Sequence, residues 1–567
     1  MAKFTVSPGV AISEIDNTFL TGQPVQAGAA IIGPTVKGPV EKPTLVTSYS
    51  DYKSIFGDTF VSGGNSYSYL TSIAAYNYFN YGGTSLLIAR VVTGSYTPAT
   101  STAVSNYINV ASSSFSLETL SAGVIMNNSG SEVSGALASG STDNVRWEIT
   151  NSNTGSGTFN VLVRRGNDNN INKVVLESFN NVNLDPNSSR FISKVIGDQT
   201  LNYNSTNNQM EVSGSYPNNS RYVRVKTVSY LTPNYFDGNG QPVSAYTASI
   251  PINKSGSFNG ATGDIKAGTG ATMYDNISTT TQGLTGGNYD SMIALFGNQD
   301  AYQFNVLFTP GLLDDTHTAQ VTNIIANTIS RGDNLYVMDL VDFNGTVTDV
   351  TTQAQSRDTS YAAAYWPWVR LIDPATGKHV WVPASTVIPG VYAFTDKTSA
   401  PWFAPAGINR GGLNTVLQAQ YKLSQANKDV LYDNNVNPLA TLPKNGVVVF
   451  GQKTLQKEAS ALDRVNVRRL MIELKGYIRQ VADTVVFEQN TNATRNTFIA
   501  KVTPYLQIIQ QKQGLYAFKV VMDDSNNGPD VIDRNQLIGQ IYIQPTRTAE
   551  FVSLDFILLP TGAEFPA

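Results

Sequence analysis

Asp339 and Asp342 close the strand-like run 334–341, where α/β enzymes often place acids. No phosphate-binding Gly-x-x-x-x-Gly-Lys-Ser/Thr stands beside them or anywhere in the chain, so nucleotide hydrolysis has no visible site. The pair is therefore expected to cap a strand end. The two histidines, His317 and His379, fall at a helix start and a hairpin strand, a poor basis for a catalytic or metal pair. Asp342-Phe343-Asn344-Gly345 resembles part of a calcium loop, but its first ligand position would be Leu340. Positions 523–534 come closer with Asp523, Ser525, Asn527 and Gly528, yet the twelfth position is Arg534 instead of Glu, and a hairpin loop is expected. No Gly-x-Ser-x-Gly elbow occurs. Arg331-Gly332-Asp333 falls at a helix-to-strand turn. Trp366, Trp368, Trp381 and Trp402 could stack on sugars, but alternation along a hairpin favours core or subunit contact. No catalytic residue, cofactor or metal is expected, and the chain reads as a non-enzyme.

The residues left with a task are basic, and two helices must position them. Leu470, Met471, Leu474, Tyr477, Ile478, Val481 and Val485 make one apolar stripe at helical spacing. Phe498, Val502, Tyr505, Leu506 and Ile509 make a second, with Asn490 as its expected N-cap, Gly514 as its C′ residue and a kink or restart at Pro504. Arg468, Arg469, Lys475, Arg479, Arg495, Lys501 and Lys512 belong to these helices. Three strand-like runs follow, at 515–522, 536–543 and 550–559, the first two joined by the turn-rich 523–529. Two helices beside a two-stranded hairpin leave a small sheet whose edges something must cover.

At 567 residues the chain is too long for one core. Charged residues are 14 % of it and cysteine is absent, which removes disulfides and thiolate metal sites. No apolar run approaches the ~18–20 residues that span a bilayer, and 1–20 lacks a basic start and an apolar centre. These features predict a soluble chain made in a cytoplasm. Net charge is −4, but between 451 and 520 eleven Lys or Arg stand against five Asp or Glu, a local +6 that leaves −10 elsewhere. Such a basic region fits solvated helix faces or an acidic protein partner better than nucleic acid.

In order, 4–15 reads as an exposed arm with alternating Val10 and Ile12. Residues 29–33, 45–46, 67–79 and 85–92 read as strand, strand, helix and buried strand, an α/β fragment. From 94 to about 280 the texture turns Ser/Thr/Asn/Gly-rich with short alternating runs at 146–150, 160–164, 173–179 and 221–230, expected as one or two inserted β domains displayed outward. Helix–strand texture returns with helices at 291–296 and 318–329, strands at 304–308 and 334–341, and a hairpin from 366–372 and 379–382. A mostly helical 414–432 and a strand at 446–450 follow.

Several motifs carry a family resemblance. Asn466-Val467-Arg468-Arg469-Leu470, Phe487-Glu488-Gln489-Asn490, Val531-Ile532-Asp533-Arg534-Asn535, and Gln544-Pro545 followed by Ala549-Glu550-Phe551 resemble the C-terminal domain of bacteriophage contractile-tail (myovirus) sheath proteins. Ser7-Pro8-Gly9-Val10, Pro401-Trp402, Ala406-Gly407, Arg410-Gly411 and Gly451-Gln452-Lys453-Thr454-Leu455 extend it to both ends and the middle. Residues from about 94 to 280 carry none of it.

The resemblance implies a virion protein that polymerises with itself as hexameric rings stacked helically around a tail tube. It implies contacts to the tube, baseplate and tail terminator proteins, neither nucleic acid nor membrane insertion, and contraction that drives the tube through a host envelope. It also implies arms that add strands to neighbouring subunits. Val10, Ile12, Glu14, Phe551, Leu554 and Phe556 are the expected arm residues, Phe518, Val520, Ile541 and Ile543 the sheet that accepts them, and the seven basic residues above the side toward the tube. The expected fold is α+β and multidomain. An arm at 1–20, a core at 21–93 and 281–445 split by β-rich 94–280, an inner domain at 446–545 of two helices on a small sheet completed by neighbours' arms, and a terminal strand at 546–567 make up the chain. A receptor-binding, adhesin-like β-rich tail protein is the alternative.

Overall fold

The computed structural model describes residues 25–107, 112–127, 132–265 and 273–551. An eight-stranded sheet organises them. Its spatial order is Thr44–Val46, Leu86–Arg90, Val25–Gly33, Tyr302–Leu313, Leu335–Asp339, Ala362–Trp366, Val436–Leu442 and Gly446–Val449. The six inner strands are parallel and the two outermost antiparallel to their neighbours. Residues alternate between two apolar layers: Ala29, Ile31, Ile88, Phe308 and Val337 enter one, and Ala30, Ile32, Leu87, Leu307 and Tyr336 the other. Leu70–Asn80 and Ile388–Thr398 cover the first layer, while Asp290–Phe296, Thr318–Arg331 and Val347–Gln355 cover the second. Strands buried on both faces explain the near-continuous apolar runs of this region.

Ala29 pairs in register with Val306, so the core is assembled from chain lying on both sides of the insert. At the insert's base Thr97 and Thr262 are bridged, and Thr97 N–H donates to Thr262 O at 3.1 Å. Between them two four-stranded sheets face each other: Val175–Asn183, Thr158–Arg165, Val145–Asn153 and Lys254–Gly256 form one, and Val223–Val228, Phe115–Ala122, Pro98–Ser101 and Phe258–Asn259 the other. Phe115 and Phe159 stack across the gap with centroids 5.6 Å apart, and Trp147 and Phe258 complete a single core. The insert is thus one β-sandwich. Its Arg164 is fully buried and bonds Asp168 and Glu148 at 2.7 and 3.0 Å.

Three expected elements differ. The run 366–372 splits at Pro367, which has no amide to continue a ladder: Ala362–Trp366 joins the large sheet, whereas Val369–Ile372 pairs with His379–Val382 and Val416–Ala419. Residues 414–432 are therefore not mostly helical. Val416–Ala419 is a strand, and the helix Gln425–Asp433 begins only where the Ser424 side chain accepts from Asn427 N–H at 3.2 Å. Finally, Gly446–Val449 pairs with Val436–Leu442 and belongs to the core sheet, not to the C-terminal unit. Gly411 and Leu413 cover its far edge through Val449 N–H to Gly411 O and Leu413 N–H to Val447 O.

Candidate subunit-linking surface

The C-terminal unit is built from two long helices, Val465–Asp483 and Asn492–Gln511, lying under a hairpin of Leu515–Val521 and Gln540–Pro545. The two stripes meet as read: Leu470, Leu474 and Val481 pack with Phe498, Val502, Leu506 and Ile509. Tyr477 and Tyr505 stack at 3.8 Å. Pro504 sits inside a helix that continues past it. The caps fall elsewhere than expected. Thr491 is the N-cap, because Asn490 is occupied, accepting from Arg495 Nε at 2.7 Å and donating to Gln536 O at 2.7 Å. At the other end Gln513, not Gly514, takes the left-handed conformation (φ +65°), and Gly514 N–H reaches Ile509 O.

Burial divides the seven basic residues. Arg468 and Arg469 lie in the docked first turns of Val465–Asp483 and are buried. The Arg468 guanidinium covers the Tyr361 ring, and its Nε donates to Ser360 O at 3.2 Å. Arg469 bonds both oxygens of Asp396 at 2.7 and 2.6 Å and lies over Tyr392. Arg495, also buried, holds Asn490 and Asp524. These three, expected on the side toward a tube, instead join parts of the same chain, because a guanidinium removed from water must be satisfied where it lies. Lys475, Arg479, Lys501 and Lys512 are exposed. Arg479 makes an exposed pair with Asp300 at 3.2 Å, while Lys475 and Lys501 donate to Tyr361 Oη and Thr484 Oγ1.

In the hairpin Phe518 stands opposite Ile543 and Val520 opposite Ile541. All four are half-buried against the helices, so their side chains secure the sheet, while an added strand would bond the backbone at its edges. Tyr516 and Tyr542 are exposed at 63 % and 57 %. The sheet has two strands, and among the described residues neither outer edge has a strand partner. The second strand begins at Gln540, later than its apolar pattern, because Asn527 holds Ile538 by both N–H and C=O at 2.8 Å. That use of Asn527 pins the turn at 523–528, with Asp523 accepting from Ser525 N–H, and a short helix, Pro529–Asp533, follows it instead of plain hairpin loop. Of the arm residues, Phe551 stands edge-on to Tyr432 and is 84 % exposed. Val10, Ile12, Glu14, Leu554 and Phe556 lie outside the described residues, as does most of the run 550–559.

The other chemistry-bearing groups serve the fold. Asp339 accepts from Ser385 N–H at 3.0 Å and from its hydroxyl, and burial pushes its carboxyl up to about 7. His317 is the residue before the helix Thr318–Arg331 and receives Leu313 N–H on Nδ1; burial lowers its pKa. Arg331 pairs with Asp333 and donates to Phe296 O and Tyr302 O. Trp366 and Trp368 are buried, and Trp402 Nε1 donates to Lys512 O at 3.0 Å. The internal roles of Arg468, Arg469 and Arg495 were missed because helical phase does not say which side meets another domain.

Residues 457–558 match the family model described as the phage tail sheath C-terminal domain. Over 207 residues the chain is 39 % identical to a tail sheath protein of Vibrio phage KVP40, covering 36 % of this chain and 31 % of that protein. Over 185 residues it is 40 % identical to a tail sheath protein of Enterobacteria phage T4, covering 33 % and 28 %. The matches thus span less than a third of these relatives' own length. In fold, the chain is similar to a sheath tail protein of Listeria innocua, with a TM-score of 0.53 over 93 % of each chain at 11 % identity. The docked helix pair and the hairpin fall inside the matched region, so the C-terminal part of this chain is similar to the C-terminal domain of the phage tail sheath proteins.

Proposed function

We propose that this chain is the structural subunit of a contractile tail sheath, polymerising as stacked rings around a tail tube and shortening to drive that tube through a host envelope. The observation that carries the reading is the two-stranded sheet, neither edge of which has a strand partner among the described residues, on a unit fastened to the α/β core. An unpaired sheet edge presents a row of free N–H and C=O groups, and extended segments of neighbouring copies would complete the hairpin to four strands. Each main-chain hydrogen bond so formed contributes about 0.5–1.5 kcal/mol net. A lattice of such joints holds while subunits move outward, since a flexible linker between two docked strands permits rotation. No step requires a bond to be made or broken in the subunit, so the work of contraction is stored in the extended lattice at assembly.

The side toward the tube is then the exposed basic set Lys475, Arg479, Lys501 and Lys512. Exposed charge pairs are worth only about 0–1 kcal/mol each and are screened by salt, which suits a contact that must release. Negative-stain microscopy of the purified protein tests the reading. Long tubes of regular diameter are expected; discrete monomers or trimers under all assembly conditions overturn it in favour of an adhesin-like role.

A further inference from the structure

After the hairpin the chain crosses back over the core, and one carboxylate holds it there. Glu550 accepts from the Tyr432 hydroxyl, from Gln452 Nε2 at 3.0 Å and from Arg464 Nε at 2.8 Å. Gln452 also donates to Thr548 Oγ1 at 2.8 Å. The three donors come from separate places: the helix Gln425–Asp433, the segment after the edge strand Gly446–Val449, and the N-cap of Val465–Asp483. Burial by itself would raise the Glu550 carboxyl, but the three hydrogen bonds and the Arg464 charge outweigh it, and its pKa lies below the ordinary glutamate value. Cavities of about 510 and 310 Å³ flank the crossing on its two sides, one walled by Phe450 and Lys428 and the other by Ala461 and Val467. Among the described residues the crossing is held by these side-chain bonds together with Thr546 N–H to Gly514 O at 3.2 Å and the Phe551–Tyr432 ring contact.

We propose that Glu550 is the positioning residue of the C-terminal linker, a clasp that passes load from residues 552–567 into the core. The inference rests on the reading above, in which that segment joins a neighbouring copy. Without the clasp, tension would act first on the Thr546 N–H to Gly514 O bond and then on the strand Gln540–Pro545, and would peel its ladder one hydrogen bond at a time. With it, tension meets Tyr432, Gln452 and Arg464 first, and the hairpin remains unloaded. The bonds are charge-assisted, the stronger kind.

Four full-length proteins and one truncation test this: the parent, Glu550→Ala, Glu550→Gln, Tyr432→Phe, and a chain ending at residue 551. Trypsin cleavage after Arg547, which lies inside the crossing, reports the clasp directly. Urea-induced disassembly of preformed tubes reports load. Expected are a folded Glu550→Ala subunit, Arg547 cleavage faster by at least about tenfold, since three bonds are lost and one charge-assisted bond alone accounts for about that factor, and tubes that fall apart at lower urea. Glu550→Gln, which keeps an acceptor, should lie between it and the parent, and the truncated chain should form no tubes. Unchanged cleavage and urea resistance in both Glu550→Ala and Tyr432→Phe, with the truncated chain still unable to assemble, overturns the clasp alone. Faster cleavage without weaker tubes overturns its load-bearing role. Normal tubes from the truncated chain overturn the linker reading and the clasp together. If Glu550→Ala fails to fold, Tyr432→Phe, which removes one bond, decides the matter by the same readouts.

Discussion

The Arg468 guanidinium carbon lies over the Tyr361 ring, 3.9 Å from its centroid. One residue belongs to the first long C-terminal helix and the other to the approach of a central strand, so this contact joins two units that the chain builds about a hundred residues apart. A desolvated cation over a ring contributes about 1–2 kcal/mol. Arg468→Ala is expected to lower the unfolding free energy by somewhat more, because Ser360 O then also loses a donor. A double-mutant cycle with Tyr361→Ala, read by urea unfolding, should return a coupling near 1 kcal/mol. Zero coupling would mean that the two merely lie near one another.

Stability should also carry a pH signature from Asp339. Its folded-state carboxyl, raised to about 7 by burial, lies above the ordinary value near 3.9 of an unfolded chain. Between those two values the folded state binds the proton that the unfolded state has lost, so stability falls as pH rises through that window. Asp339→Asn cannot ionise and should flatten this slope. Thermal unfolding of both proteins from pH 4 to 8 checks it, and parallel curves would show that Asp339 stays ionised when buried.

Replacing the sandwich between Thr97 and Thr262 with a two-residue linker should leave a subunit that still polymerises, because those residues are already bridged. Some stability is lost: Arg90 donates to Ala122 O at 3.0 Å, and Tyr203 and Met210 of the insert cover part of the core. An expected cost of about 1–3 kcal/mol follows from those exposed groups. Failure of the shortened, folded protein to make tubes would place the insert in the lattice contacts.

Charge reversal at Arg479, Lys501 and Lys512 should weaken assembly on the tube more than association between sheath subunits, and the effect should shrink as salt rises. Co-sedimentation with purified tube across a salt series measures it. Reversal at Arg468, Arg469 or Arg495 should instead reduce soluble, folded protein, since each would set a carboxylate where a buried cation is held.

Deleting residues 1–17 should abolish ordered tubes and leave the subunit folded, since the first core strand begins at Val25. Circular dichroism and microscopy of the same preparation separate the two effects; tubes of normal length would show that this segment links nothing.

The amino-acid sequence by itself determined the elements whose signals are local. Leu470 to Val481 and Phe498 to Ile509 specify two helices by spacing, and Phe518, Val520, Ile541 and Ile543 specify the inner face of a hairpin by alternation. A stripe or an alternation buries the same side whatever it meets, so these survive without knowledge of the partner. Tertiary structure decided what depends on a distant partner. Val416–Ala419 is a strand because Val369–Ile372 offers it a ladder, and Gly446–Val449 joins the core because Val436–Leu442 lies beside it. Arg468 and Arg469 point inward because Tyr361 and Asp396 wait across the joint. Glu550 is a clasp because Tyr432, Gln452 and Arg464 converge on it from elements separated in sequence by up to 118 positions. A charged side chain looks alike in sequence whether water or a buried partner satisfies it, and only packing chooses between them.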